Sequence, residues 1–418
     1  MTPKFVFGKE KNDWIKRPLL SNIEKILDYR GRTPKKLGLS WSDTGILALS
    51  ALNVKNGYID FNADANYGDQ ELYNRWMGDN NLHKGQVVFT TEAPMGNVAQ
   101  IPNDALYILS QRTIAFEVKH HLIREDFLAT LLRSPKIFNE LTSLSSGGTA
   151  KGVSQKSLSN LKISVPASLD EQSAIGTLFR TLDDLLAGYK ENLANYQSLK
   201  TTMLSKMFPK AGQTVPEIRL DGFEGEWKFS PLGEQADITK LAGFEFTNHV
   251  VYSDEGEIPA IRGLNVKNQN INLSDVKYID KSDFSKLDRS KLIEDDLLFT
   301  YVGTVGEVAR VPESVLWYLA PNVSRIRLNM ALDSRFVLYQ MASNRFKQKQ
   351  ISPLIATSSQ PALSMANIRK FIISFTTLEE QQAIGSYFSN LDNLINSHQE
   401  KISQLEILKQ KLLQDMFI

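Results

Sequence analysis

The stretch Leu169-DEQSAIGTLFRTLDDLL-Ala187 returns as Leu378-EEQQAIGSYFSNLDNLI-Asn396, with ten of nineteen positions identical at a constant offset of 209 residues. Ser168-Leu169-Asp170-Glu171 and Thr377-Leu378-Glu379-Glu380 each fit a capping box, the start signal of a helix. Apolar residues then recur at three- and four-residue steps: Leu178, Leu182, Leu185, Tyr189, Leu193, Tyr196, Leu199, Met203 and Met207. The second copy supplies Phe388, Leu391, Ile395, Ile402, Leu405, Leu408, Leu412 and Met416. This spacing predicts two helices of about 38 residues, each about 57 Å long. One stripe of that length needs a partner of equal length. The other copy answers as the second strand of a coiled coil.

The repetition extends outward from the helices. Pro3, Trp14, Pro18 and Leu19 match Pro216, Trp227, Pro231 and Leu232 at offset 213, and Leu52-NVK-Asn56 matches Leu264-NVK-Asn268 at offset 212. Residues 86–102 (QVVFTTEAPMGNVAQIP) match 296–312 (DLLFTYVGTVGEVARVP) at offset 210. The chain is therefore two copies of one unit of about 210 residues, each a head followed by a long helix. The boundaries read as a first head over 1–166, a first long helix over 167–208, a linker over 209–226, a second head over 227–376 and a second long helix over 377–418. Residues 86–90, 161–165, 296–300 and 371–375 read as buried strands, punctuated by glycine and proline turns, which makes each head α+β. The repeat favours a pseudo-two-fold molecule.

With 48 basic and 47 acidic residues in 418, the net charge is +1, so any nucleic-acid contact must come from local patches. The absence of cysteine excludes disulfides and thiolate metal sites. No apolar run is long enough for a membrane span, and the N-terminal residues lack the apolar core of a signal peptide. The five histidines show no metal-ligand spacing. Asp104, Glu117 and Lys119 echo the D…ExK order of metal-dependent nucleases, but at offset 210 they become Ser314, Arg327 and Asn329, so the second head lacks the set. No catalytic residues are expected in this chain.

Several turns collect basic, amide and hydroxyl side chains of the kind that contact base edges and phosphates. In the first head these are Arg32, Thr33, Lys35 and Lys36, then Asn53 and Lys55, then Thr149, Lys151 and Ser154, with Thr90 and Arg112 added by residue type. In the second head they are Arg262, Asn265 and Lys267, then Ser358, Ser359 and Gln360, with Thr300, Tyr301, Asn322 and Arg325 added by residue type. Matched frameworks with unmatched loops are what reading two different half-sites requires. Gln172 and Gln381, with Gly176 and Gly385, are not needed for an apolar stripe, and they sit at the head–helix junction where a further subunit could dock.

The order head–helix–head–helix, the paired L-x-EQ-x-x-IG-x-x-F-x-x-LD phrases and the endings Lys206-Met207-Phe208 and Asp415-Met416-Phe417-Ile418 resemble the specificity (S) subunits of type I restriction–modification systems. The resemblance covers essentially the whole chain. It implies two similar α/β target-recognition domains separated by long helices in an antiparallel coiled coil, each domain reading one half of a split, asymmetric site in double-stranded DNA. It also implies docking of two methyltransferase (M) subunits at the repeated helix starts, with Gln172, Gly176, Phe179, Gln381, Gly385 and Phe388 as the expected contacts. Motor-nuclease (R) subunits would join that core. S-adenosylmethionine, ATP and Mg2+ are expected on those partners and no cofactor on this chain, which would work in the cytoplasm.

Overall fold

The apolar runs Val87–Thr90 and Leu297–Thr300 are buried at every position, the burial expected of a strand covered on both faces. The computed structural model describes residues 14–145, 152–355 and 361–417. They form two units, one made of residues up to Glu191 together with those from Glu400, the other of Asn192–Gln399.

In the first unit, strands Ile23–Asp28, Thr113–Val118, Val87–Thr90 and Val98–Gln100 lie in that order in an antiparallel sheet. A second sheet orders Tyr67–Gly68, Ile46–Leu49 and Ile108–Leu109, and Trp14–Pro18 pairs with Lys162–Pro166. The second unit repeats all three sheets strand for strand. Its main sheet runs Ala236–Lys240, Val323–Leu328, Leu297–Thr300, Val308–Arg310; its second runs Lys277–Tyr278, Pro259–Ile261, Tyr318–Leu319; and Lys228–Pro231 pairs with Ile372–Phe375. The two units differ at the LNVKN phrase, which is a hairpin of Val266–Lys267 with Asn270–Ile271 in the second and a single bridge, Val54 to Ile59, in the first.

The long helices span Leu169–Lys206 and Leu378–Met416. In the first unit, Asp183 meets Lys409 and Lys190 meets Glu406 at 2.7 Å. In the second, the Tyr196 ring lies edge-on to His398 at 5.1 Å and Lys200 meets Asp392 at 2.5 Å. One residue number rises as the other falls, so the pairing is antiparallel in each unit. A two-helix pair buries one seam only. Leu185, Leu199 and Leu408 of the expected stripes are accordingly exposed. Among the described residues, no helix is long and apolar enough to cross a membrane.

The helix ends close the cores. Phe417 packs among Trp14, Phe127 and Phe179 in the first unit, with ring centroids 5.8, 5.9 and 6.4 Å away. Phe208 packs among Trp227, Phe336 and Phe388 in the second, at 6.1, 5.3 and 6.3 Å. These eight aromatic positions correspond one to one in the repeat. The helix that begins in one copy thus ends in the aromatic core of the other.

The capping boxes form only by half. Glu171 N donates to Ser168 Oγ at 3.3 Å and Glu380 N to Thr377 Oγ1 at 3.4 Å. The glutamate side chains turn elsewhere. Glu171 accepts from Trp14 Nε1 at 3.2 Å, and Glu380 takes both arms of Arg219 at 2.7 Å. Each carboxylate therefore ties the helix start to the segment that leads into its head.

Candidate nucleic-acid interface

Strand register brings Asp28, Thr90 and Thr113 to the same end of the first main sheet, because Asp28 pairs with Ile114 and Thr90 with Thr113. The loops that leave this end are joined by backbone bonds. Thr91 N donates to Arg112 O at 2.8 Å, and Val153 N to Thr91 O at 2.9 Å. On this platform Arg30 and Gln155 both donate to the Asp28 carboxylate, at 2.9 Å to Oδ2 in each case. Burial alone would raise the Asp28 pKa, but the hydrogen bonds from Arg30 and Gln155 outweigh it and hold the acid below its ordinary value. Arg112 Nε meets Glu92 at 2.9 Å, with both side chains reaching solvent. Lys35 and Lys36 are exposed beside them, and Lys36 Nζ donates to Gly31 O at 2.6 Å.

The second unit builds the same platform with other side chains. Tyr301 N donates to Asn322 O at 3.1 Å and Leu363 N to Tyr301 O at 2.8 Å. Lys240 stands where Asp28 stood, with Nζ 5.5 Å from the centre of the Tyr301 ring. Val302 replaces Glu92, Met365 replaces Gln155 and Asn322 replaces Arg112. Arg112 and Asn322 share a left-handed backbone, φ 66° and 71°, so one turn presents an exposed guanidinium in one unit and an exposed amide in the other. Where the first unit carries Arg32, Thr33, Pro34, Lys35 and Lys36, the second has the short helix Gly243–His249, with Phe244 62% exposed.

Several expected DNA contacts belong to the framework instead. Thr90, Thr300, Asn53, Asn265 and Arg325 are buried. Asn53 accepts from Ser50 N at 2.8 Å and donates to Ala48 O at 2.8 Å, while Asn265 accepts from Arg262 N at 3.0 Å and donates to Asn272 O at 2.9 Å. Both amides hold the LNVKN turn. Thr300 accepts from Glu307 N at 2.9 Å, and its counterpart Thr90 from Asn97 N at 2.9 Å. Arg325 pairs with Asp237. Arg32 lies 4.8 Å over the Tyr29 ring and donates to Trp76 O, and Thr33 and Ser154 cap short helices. Arg262 is half-buried and donates to Asp275 O at 2.6 Å, Tyr301 is half-buried under Lys240, Lys55 is half-buried and Lys267 is exposed. Thr149, Lys151, Ser358, Ser359 and Gln360 lie outside the described residues.

The six expected partner contacts are likewise spent inside the chain. Gln172, Gly176, Phe179, Gln381, Gly385 and Phe388 are all buried. Gln172 accepts from Arg124 N at 2.9 Å and donates to Leu122 O at 3.1 Å and Pro166 O at 2.9 Å. Gln381 repeats the pattern with Asp333 N at 3.0 Å, Ala331 O at 3.0 Å and Thr376 O at 2.8 Å. A Cβ on Gly176 would stand 2.9 Å from the Asp126 carbonyl carbon, and one on Gly385 2.9 Å from Arg335 Cβ. The EQ-x-x-IG phrase therefore bonds each long helix to the helix of its own head, Glu125–Leu132 or Ser334–Ala342. The phrase is buried in this chain rather than exposed at its surface.

Among the described residues, no group of three or more His, Asp or Glu side chains could hold a metal ion. Within the nuclease-like set, Asp104 accepts from Lys84 N at 3.1 Å and Glu117 from Gln86 Nε2 at 3.0 Å. Residue typing overlooked Asp28, Glu92, Lys240 and Phe244. Their signal lay in the repeat, since each ends a matched strand or lies in the segment that follows one, where its counterpart differs in charge or polarity.

The comparisons with known proteins agree with this geometry. A model of the type I restriction modification DNA specificity domain matches residues 22–195 and again 224–407. The specificity subunit of type I restriction enzyme MjaVIII from Methanocaldococcus jannaschii is 23% identical over 317 residues, covering 73% of this chain and 72% of its own. That of the putative enzyme MjaX from the same organism is 23% identical over 424 aligned residues, 98% of this chain and 94% of its own. The crystal structure of the type I restriction–modification S subunit from M. genitalium shares the fold, with a TM-score of 0.63 at 16% identity over 100% of this chain and 99% of that one. Matched twice over most of its length, this chain belongs to the type I restriction–modification DNA specificity family, and its role is DNA sequence specificity.

Proposed function

We propose that each unit reads one half of a bipartite, asymmetric DNA site and that the paired long helices set the spacing between the halves. The observation that carries this is the duplicated platform, identical in strand order and different in the side chains that crown it. At the shared turn, Arg112 suits a guanine, whose O6 and N7 take a guanidinium bidentately, and Asn322 suits an adenine. Lys35, Lys36 and Lys267 are exposed cations for phosphates, which position the heads without carrying sequence information.

The chain is non-catalytic in this reading. Two methyltransferase subunits would flip an adenine out of each half-site and methylate N6 with S-adenosylmethionine. Restriction subunits would use ATP and Mg2+, and the assembly would work in the cytoplasm. With the EQ-x-x-IG phrase buried, the docking surface moves to the helix flanks. Exposed Leu185 and Leu394 are repeat equivalents, as are exposed Leu199 and Leu408. Each unit therefore offers one exposed leucine from each helix, a paired arrangement that suits two copies of one partner.

Competition binding with the full-length chain tests the reading. Its own motif, identified by N6-methyladenine mapping in the host, should outcompete the same bases in shuffled order by about a thousandfold or more. A protein-binding scaffold would show no preference between the two.

A further inference from the structure

The aspartate of each LD phrase sits at a three-way junction. In the first unit, Asp183 takes the guanidinium of Arg133 at 2.6 Å and the ammonium of Lys409. In the second, Asp392 takes the ammonium of Lys200 at 2.5 Å and the phenol of Tyr339 at 2.8 Å. Asp183 and Asp392 are 209 residues apart, and so are Lys200 and Lys409. One contact is thus made twice, each time from the aspartate of one long helix to the lysine of the other. A group from the head helix or its C-terminal cap joins both times.

These pairs differ from ordinary surface ion pairs. The Lys200 and Lys409 side chains are 15% and 20% exposed and that of Arg133 only 7%. Lys190 and Glu406, by contrast, are more than half exposed, and their repeat positions are Gln399 and Gln197. An exposed pair contributes little, whereas a largely buried charge that loses its partner is strongly destabilising. An apolar seam tolerates a slip of one repeat, but a buried polar contact specifies register. Sliding one long helix along the other would strand both aspartates and both lysines together. In the second unit, Lys200 also donates to Gln269 at 2.6 Å, in the turn between Val266–Lys267 and Asn270–Ile271. The junction there reaches the hairpin that carries Lys267.

We propose that the reciprocal pairs Asp183–Lys409 and Asp392–Lys200 are positioning residues that fix the register of the long helices and thereby the number of base pairs between the half-sites. This rests on the two-reader function proposed above. The test replaces the host gene with variants of the full-length chain and maps N6-methyladenine genome-wide. For Lys200→Met with Lys409→Met, the half-site sequences should persist while methylation at sites with the wrong spacer rises about tenfold, equivalent to about 1.4 kcal/mol of lost discrimination. Exchanging both pairs, with Lys200→Asp and Asp392→Lys together with Lys409→Asp, Asp183→Lys and, to keep the buried Arg133 from facing a lysine, Arg133→Gln, should restore the single spacer. Undiminished methylation at one unchanged spacer overturns the proposal. So does a change in either half-site sequence, or a loss of methylation that the exchanged pairs fail to recover. If the unaltered chain itself shows no fixed spacer, the two-reader function falls instead.

Discussion

The two units agree where side chains face inward and part company where the sheets end. Phe127, Phe179 and Phe417 have counterparts in Phe336, Phe388 and Phe208, and Gln172 bonds as Gln381 does. At the platform, a salt-bridged set of Asp28, Arg30, Glu92 and Arg112 faces Lys240, Ala242, Val302 and Asn322 at the same positions. Packing narrows the choice at buried positions, whereas an exposed turn accepts any residue its backbone tolerates. Fold and target choice are thereby separated along the chain.

The shared interior can be tested at its largest expected effect. Phe417→Ala and Phe208→Ala should each cost about 3–5 kcal/mol, read by denaturant unfolding, with the loss concentrated in the first unit for Phe417 and in the second for Phe208 by amide exchange. Equal loss in both units from either change would break the correspondence. Gly176→Ala forces a Cβ against Asp126 and should cost about 1–3 kcal/mol. Gly188→Ala, in the same helix with open space around it, should instead stabilise by about 0.5–1 kcal/mol.

The divergent platform is tested by specificity. Arg112→Ala and Asn322→Ala should each weaken discrimination by about 1–3 kcal/mol at a base of one half-site only, a different half for each, as read by competition binding. The smallest effect concerns pH. Burial raises the Glu125 carboxyl above 4.5, with His83 at 3.0 Å opposing the rise, and the repeat position in the second unit is the neutral Ser334. A raised folded-state pKa contributes stability at low pH that is lost as pH climbs through it. The first unit should therefore weaken relative to the second as pH rises from about 4.5 through that raised value, and Glu125→Gln should flatten the trend. Asp28, with its lowered pKa, acts oppositely and only on acidification below 3.8.

Much of the fold was legible because it is written twice. The helix starts at Leu169 and Leu378 and the strands around Val87 and Leu297 follow from apolar periodicity, and the offsets aligned them. The site was less legible. Residue type alone does not distinguish an asparagine that reads a base from one that ties a turn, as Asn53 and Asn265 do. The burial of Gln172 and Gly176 is not legible in the sequence because their partners, Arg124 and Asp126, lie at the start of a head helix some 50 residues earlier in the chain. The Lys200 and Lys409 junctions were invisible for the same reason, since they require the antiparallel register.

The central claim is that two like frames hold two independent readers. Its most direct test is to exchange residues 1–165 for the corresponding head of another specificity subunit and map N6-methyladenine in the host. One half of the methylated motif should change, while the other half stays as it was. A change in both halves, or in neither, would contradict it.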